Sequence, residues 1–116
     1  MPAQLEVPPS NSPPERPESA EIETVELLDL LGDEYTRRVF EAIAERPRTG
    51  RAVAEAADIS RPTAYRRLND LCDAGLARAE IEICEDGHHR ERYVPLAESL
   101  SVSLDDGIEA MVKLAE

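Results

Sequence analysis

The residues best suited to polar recognition lie close together in "SRPTAYRRLNDLCDAGL", positions 60–76. Arg61, Arg66 and Arg67 each present a planar fork of N–H donors, a shape that fits phosphate oxygens and the paired acceptors of a base edge. A second group, Cys84, His88 and His89, holds the atom types of a metal site. Such a site needs three or four converging ligands, and adjacent histidines on a strand point to opposite faces, so no metal site is expected. Cys72 and Cys84 form neither a CxxC pair nor a disulfide framework, and reduced thiols are the expectation. Catalysis has no support either: there is no Gly-rich phosphate loop, no HExxH, and no set of nucleophile, base and orienting group. The chain reads as a non-enzyme without a cofactor.

Those arginines stand out because the chain as a whole is acidic, with 25 Asp and Glu against 13 Lys and Arg and a net charge of −12. Residues 1–36 hold one arginine against nine acids, residues 79–116 three basic residues against ten acids, and residues 37–78 nine arginines against six acids. Only the middle third is basic. A single lysine, Lys113, among so many acids resembles proteins adapted to molar salt, where charge repulsion is screened over about 3 Å. A haloarchaeal origin is the expectation. On that reading the net charge reflects the solvent more than the partner.

Other bounds come from length and pattern. With 116 residues, 41% of them hydrophobic, the chain is one small domain plus tails. It has no apolar run long enough to span a membrane and no signal-peptide pattern, so a cytoplasmic location is expected. Residues 1–21 carry Pro2, Pro8, Pro9, Pro13, Pro14 and Pro17 with few apolar residues, and read as a disordered tail.

Four helices are then predicted to position the arginines. Val25, Leu28 and Leu31 share one face of the first, and Gly32 stops it. Asp33 caps the second, with Tyr35, Val39, Phe40 and Ile43 inward and Pro47 at its end. Thr49 caps a short third helix with Val53, Ala54 and Ala57 available for burial. After the tight link Asp58-Ile59-Ser60, Ser60 caps the fourth helix, 60–74, with Pro62 in its first turn and Gly75 closing it. "ARAEIEIC" then alternates, "EDGHH" carries an Asp-Gly turn signal, and "RERYVPL" returns, so 77–96 reads as a β-hairpin. Ser103 and Asp106 suggest a capped last helix with Leu104, Ile108, Met111, Val112 and Ala115 on one stripe.

Two short helices joined by a three-residue turn and followed by a hairpin describe a winged helix-turn-helix, mainly α with a β-hairpin wing. The stretch "RAVAEAADISRPTAYRRLNDLCDAGLARAEIEI" resembles the ArsR-type winged-helix transcription regulators, and the likeness covers about residues 24–96. The MarR, PadR and TrmB-like families share this layout. The resemblance implies a DNA-binding domain over 22–98, and the leftover apolar stripes imply a dimerisation helix over 99–116. Some members of the resembled family sense metals through paired cysteines near the recognition helix, a signature that Cys72 with its neighbours Leu71 and Asp73 lacks.

At about 100° per residue, Ala64, Leu68 and Leu71 form the inner stripe of the fourth helix, with Cys72 on its flank. Pro62, Thr63, Arg66 and Asn69 point outward, and Tyr65 lies at the border. Thr63, Tyr65 and Arg66 are accordingly assigned to base reading in the major groove. Arg48, Arg51, Arg61 and Arg67, with the free N–H groups near Ser60, are assigned to the DNA backbone. His88, His89, Arg90 and Arg92 are donors at the wing. The bland alternative is a solvated face, with Arg66 paired to Asp70. The expected partners are double-stranded DNA and a second copy of the chain, and the expected function is a repressor-like, sequence-specific regulator. The alternatives are a winged-helix protein–protein adaptor and, less favoured, a thiol- or metal-responsive regulator.

Overall fold

A computed structural model describes residues 22–115, so the expected tail at 1–21 lies outside the described residues. Four helices and four strands follow in order: α1 (Thr24–Gly32), α2 (Glu34–Glu45), α3 (Gly50–Ala57), α4 (Arg61–Asp73), β1 (Ala77–Ile83), β2 (His89–Pro95), β3 (Ala97–Ser103) and β4 (Glu109–Leu114). The strands form two separate antiparallel hairpins, β1–β2 and β3–β4.

Local chemistry explains the helix starts. Asp33 accepts from the Thr36 N–H at 2.8 Å, Thr49 from the Ala52 N–H at 3.2 Å, and Ser60 from the Thr63 N–H at 3.2 Å. Each satisfies a donor that the first helical turn leaves unpaired. Between α3 and α4 the chain turns through Asp58, which sits in the left-handed region at φ 59°, and the Ile59 N–H reaches back to the Ala54 carbonyl at 3.0 Å. After α4 the Leu76 N–H bonds the Leu71 carbonyl at 2.9 Å, turning the chain into β1.

The core joins these elements. Leu27, Val39, Ile43, Val53, Leu68 and Leu71 are buried together with Leu76 and Tyr93, so α1 to α4 and β2 share one apolar center. In α2 the buried residues are Thr36, Val39, Ala42 and Ile43, while Tyr35 is exposed. In α1 Leu27 is the buried residue, and Val25 and Leu28 of the expected inward stripe remain exposed. No helix among the described residues is long and apolar enough to cross a membrane.

The expected C-terminal helix is a second hairpin, so a dimerisation helix over 99–116 is not what the chain forms. The reason lies in the pattern. Leu104, Ile108 and Val112 are four apart, a spacing that fits one helix face, but in an extended chain Ile108 and Val112 also share a face because four is even, and Leu104 stands across the turn from Ile108. Leu100, Val102 and Leu104 alternate with serines, which only a strand uses. Asp106-Gly107 supplies the turn, with Gly107 at φ 101°, a backbone conformation that favors glycine. The Ser103 and Asp106 pair read as a helix cap therefore spans that turn.

Candidate nucleic-acid interface

Helix α4 is held from three sides. Ala64, Leu68 and Leu71 enter the core, α3 packs along one flank, and β1 leaves directly from its end. Rotation about the helix axis places Arg66 about 160° from Leu68, opposite the buried stripe. Arg66 is exposed and has no ion-pair or hydrogen-bond partner among the described residues, so the Arg66 to Asp70 pairing does not form. Arg61, at the helix start, is likewise exposed and unpaired among the described residues. Pro62 and Asn69 complete the exposed face. Asn69 is an amide with donor and acceptor of its own, and belongs to this surface although it was not among the assigned residues.

Thr63 and Tyr65 are placed differently. The Thr63 hydroxyl accepts from the Ser60 hydroxyl at 2.9 Å, so both side chains serve the cap of α4. Tyr65 leans over the first residue of α3. A methyl group built on Gly50 would fall 2.7 Å from the Tyr65 hydroxyl oxygen and closer still to two ring carbons. Glycine at this position is what lets the ring lie across the start of α3. Tyr65 thereby lines a groove of about 480 Å³ with Thr49, Gly50 and Arg51 on one side and Ile81, His89, Arg90, Glu91 and Tyr93 of the wing on the other. Arg51 stands at that groove with only a long contact, 3.8 Å, to Glu55.

Two of the assigned backbone arginines are committed to the fold. Arg48 is largely buried, with its side chain 13% exposed. Its Nε donates to the Ala42 carbonyl at 2.8 Å, a terminal nitrogen pairs with Glu45, and its backbone exchanges hydrogen bonds with Tyr93. Arg48 therefore ties the end of α2 to the wing. Arg67 turns to the other flank of α4, where its Nε lies 2.9 Å from Asp33 Oδ2. The Thr36 N–H, the Thr36 hydroxyl and Arg67 hold the Asp33 carboxyl below its usual range. Both guanidiniums are thus engaged by carboxylates of the same chain. Neither arginine faces the surface that Arg66 occupies.

The wing arginines are paired as well. In the hairpin register Glu80 lies opposite Arg92 and Glu82 opposite Arg90, with contacts of 3.7 and 3.3 Å. Arg78 adds a 2.6 Å bond to Glu80, and this bond, with the Arg78 and Arg92 charges, keeps the Glu80 carboxyl below its usual range. At the tip His88 lies 3.0 Å from Asp86, and His89 is exposed. On the opposite face Ile81 and Ile83 are open to solvent. Tyr93 is anchored beneath them: burial and its bond to Glu91 push its phenol up to about 12. Cys72 is half-buried, and burial, with Asp73 and Glu91, raises its thiol above the ordinary range. Among the described residues no three His, Cys, Asp or Glu side chains converge as metal ligands.

Comparison with known proteins matches the helical part of this arrangement. Residues 31–79 fit a family model described as "Helix-turn-helix domain", a span that runs from the end of α1 into β1. No curated protein matches the sequence. Among solved structures, a protein from Methanosarcina mazei Go1 described as a "possible transcriptional regulator" superimposes with a TM-score of 0.53 at 12% identity. The match covers 64% of this chain and 65% of that one, so the chain spans less than two thirds of that relative, and the likeness is one of fold. Residues 31–79 are thus similar to a helix-turn-helix domain, and the described residues fold as a winged helix-turn-helix.

Proposed function

We propose that this protein is a sequence-specific, repressor-like transcription regulator that enters the major groove of double-stranded DNA with α4. The observation that carries the reading is Arg66, an unpaired guanidinium at the apex of that helix, directly opposite its buried stripe. Its N–H fork suits guanine O6 and N7. Arg61 and Arg51 flank it at the starts of α4 and α3, where free backbone N–H groups and cationic side chains suit phosphates. Thr63 and Tyr65 contribute from the two sides of the helix: Thr63 by steadying its cap, Tyr65 by presenting a hydroxyl in the groove toward the wing. His88 and His89 meet the backbone beside that groove. Arg90 and Arg92 do so only by exchanging Glu82 and Glu80 for phosphate.

Few unpaired cations on an acidic chain imply a shallow dependence of binding on salt, since few counterions are released. That agrees with a high-salt cellular interior, which the acid-rich and lysine-poor composition supports. The same reading includes a two-fold pair of chains, with two α4 helices about 34 Å apart on an inverted repeat.

Fluorescence anisotropy in molar KCl tests this, comparing DNA from upstream of the chain's own gene with a shuffled control. The expected result is binding to the native DNA only, with Arg66→Ala costing about 1–3 kcal/mol. Binding that is indifferent to Arg66→Ala, or equal for both DNAs, would overturn base reading by α4 and favor the adaptor.

A further inference from the structure

We propose that the C-terminal hairpin joins two copies of this chain, with the tip residues Leu104 and Ile108 of each copy seated in an apolar cavity at the base of the other's hairpin. Alternation along β3 and β4 puts Leu100, Val102, Ala110 and Val112 on one face, opposed in register as Leu100 with Val112 and Val102 with Ala110. Leu104 and Ile108 continue that face at the turn. Helix α1 covers only part of it. Ala110 and Val112 are buried, and the Ala110 N–H donates to the Thr24 hydroxyl at 3.1 Å. The β3 side stays open: Leu100 is 42%, Val102 46%, Ile108 63% and Leu104 71% exposed. Along the strands no charged side chain lies on this face, although a third of the chain is charged, and the turn between Leu104 and Ile108 carries the exposed Asp105 and Asp106.

At the base of the same hairpin lies a mostly apolar cavity of about 210 Å³, lined by Leu31, Phe40, Leu76, Ala97, Leu100 and Val112 together with Glu98 and Ser99. It is large enough for a leucine or isoleucine side chain, and an apolar cavity holds water poorly. The chain's own tip cannot fill it. Leu104 lies four positions beyond Leu100, about 13 Å along the extended chain. A second copy can: two hairpins laid face to face and antiparallel place each tip over the other's cavity, an isologous contact that closes at two chains.

The area agrees. Thr24, Leu28 and Leu31 recur at helical spacing, so the exposed Leu28, with Val25 one turn before it, borders the hairpin. These residues and the open hairpin face amount to an exposed apolar surface on the order of 500 Å². A stable dimer buries about 800 Å² per partner, of which roughly 65% is apolar in homodimers. Repulsion between two chains of charge −12 opposes association in dilute salt and is screened in concentrated salt.

This inference supplies the contact for the two-fold pair in the functional reading. It is tested by sedimentation equilibrium of the full chain in 0.15 M and 2 M KCl, without DNA. The expected result is a dimer that tightens with salt and that Leu104→Asp with Ile108→Asp weakens at least 100-fold, while the circular dichroism of the variant stays native. As a second measurement, Ser99→Cys with Leu104→Cys, in a Cys72→Ser, Cys84→Ser background, should oxidize to covalent dimers, because the two positions lie too far apart within one chain. A monomer at 200 µM, or a dimer that the tip substitutions leave intact, would overturn the proposal. So would a dimer that forms only after residues 1–21 are removed, which would assign the strip to the tail. Failure here leaves the Arg66 test standing, and failure of that test leaves the pairing standing.

Discussion

The two hairpins are built on one backbone plan, and one face of each sets them apart. The first carries paired charges there and exposes Ile81 and Ile83 on its other face, whereas the second carries uncharged apolar residues. Each joins its strands through a five-residue link with an acid, Asp and Gly at its center, Cys84 to His88 in one and Leu104 to Ile108 in the other. Gly87 and Gly107 both have positive φ, 87° and 101°. On β1–β2 the cross-strand neighbors are Glu80 with Arg92 and Glu82 with Arg90, a closed set of charges. On β3–β4 they are Leu100 with Val112 and Val102 with Ala110. The turn therefore decides that a hairpin forms, and the alternating residues decide what it can meet. A charge-paired wing beside α4 can lie against a polar polymer with little penalty, whereas an uncharged apolar face calls for another apolar face.

The anchors of the two hairpins should differ most. Tyr93, buried and bridged to Arg48, carries the wing, so Tyr93→Ala is expected to cost about 3–5 kcal/mol in urea unfolding. Val112 carries the second hairpin, and Val112→Ala should cost about 2 kcal/mol. Equal losses would mean that the hairpins are equally integrated in the core. The turns should behave alike. Neither Gly87 nor Gly107 has an atom within 4 Å of an added Cβ, so Gly87→Ala and Gly107→Ala meet only backbone strain and should each cost about 1–2 kcal/mol.

The smallest effect should be found in the wing's charges. A double-mutant cycle on Glu82 and Arg90 should give less than about 1 kcal/mol, and less again in high salt. Glu80 sharpens the same point through pH. Its carboxyl is held below its unfolded value, so the stability it contributes is present above the usual carboxylate range and is lost as pH falls through the folded value. An acid titration of stability followed by circular dichroism should show this slope reduced in Glu80→Gln. No such slope is expected from Leu100 or Val102.

The helix-turn-helix was legible because its signals are local. Asp33, Thr49 and Ser60 cap as their types and positions predict, Pro62 lies in the first turn of α4, and the apolar spacing of Ala64, Leu68 and Leu71 marks the buried stripe. The wing was legible from strict alternation and one Asp-Gly pair. The last hairpin carried an equivalent pair, Asp106-Gly107, but its leucine and isoleucine spacing satisfies helix and strand alike. A period of four cannot separate them, and the alternating serines were the deciding signal. At the candidate interface, α4's outward face was legible from helical rotation, whereas the assignments of Arg48 and Arg67 to DNA were not supported by their surroundings. Their partners come from other elements: Tyr93 bridges to Arg48 across 45 positions, and Asp33 pairs with Arg67 across 34.

The amino-acid sequence by itself determined where α2, α3 and α4 begin, where the wing turns and which arginine of α4 points away from the core, because caps, positive-φ glycines and the helical period act within a few residues. Only the tertiary structure decided which arginines stay unpaired, that Tyr65 rests on Gly50, and that the exposed Leu104 and Ile108 and a mostly apolar cavity lie at opposite ends of one hairpin. Those outcomes depend on which distant residues packing brings within a few ångströms, and neither charge nor spacing along the chain encodes that neighbor.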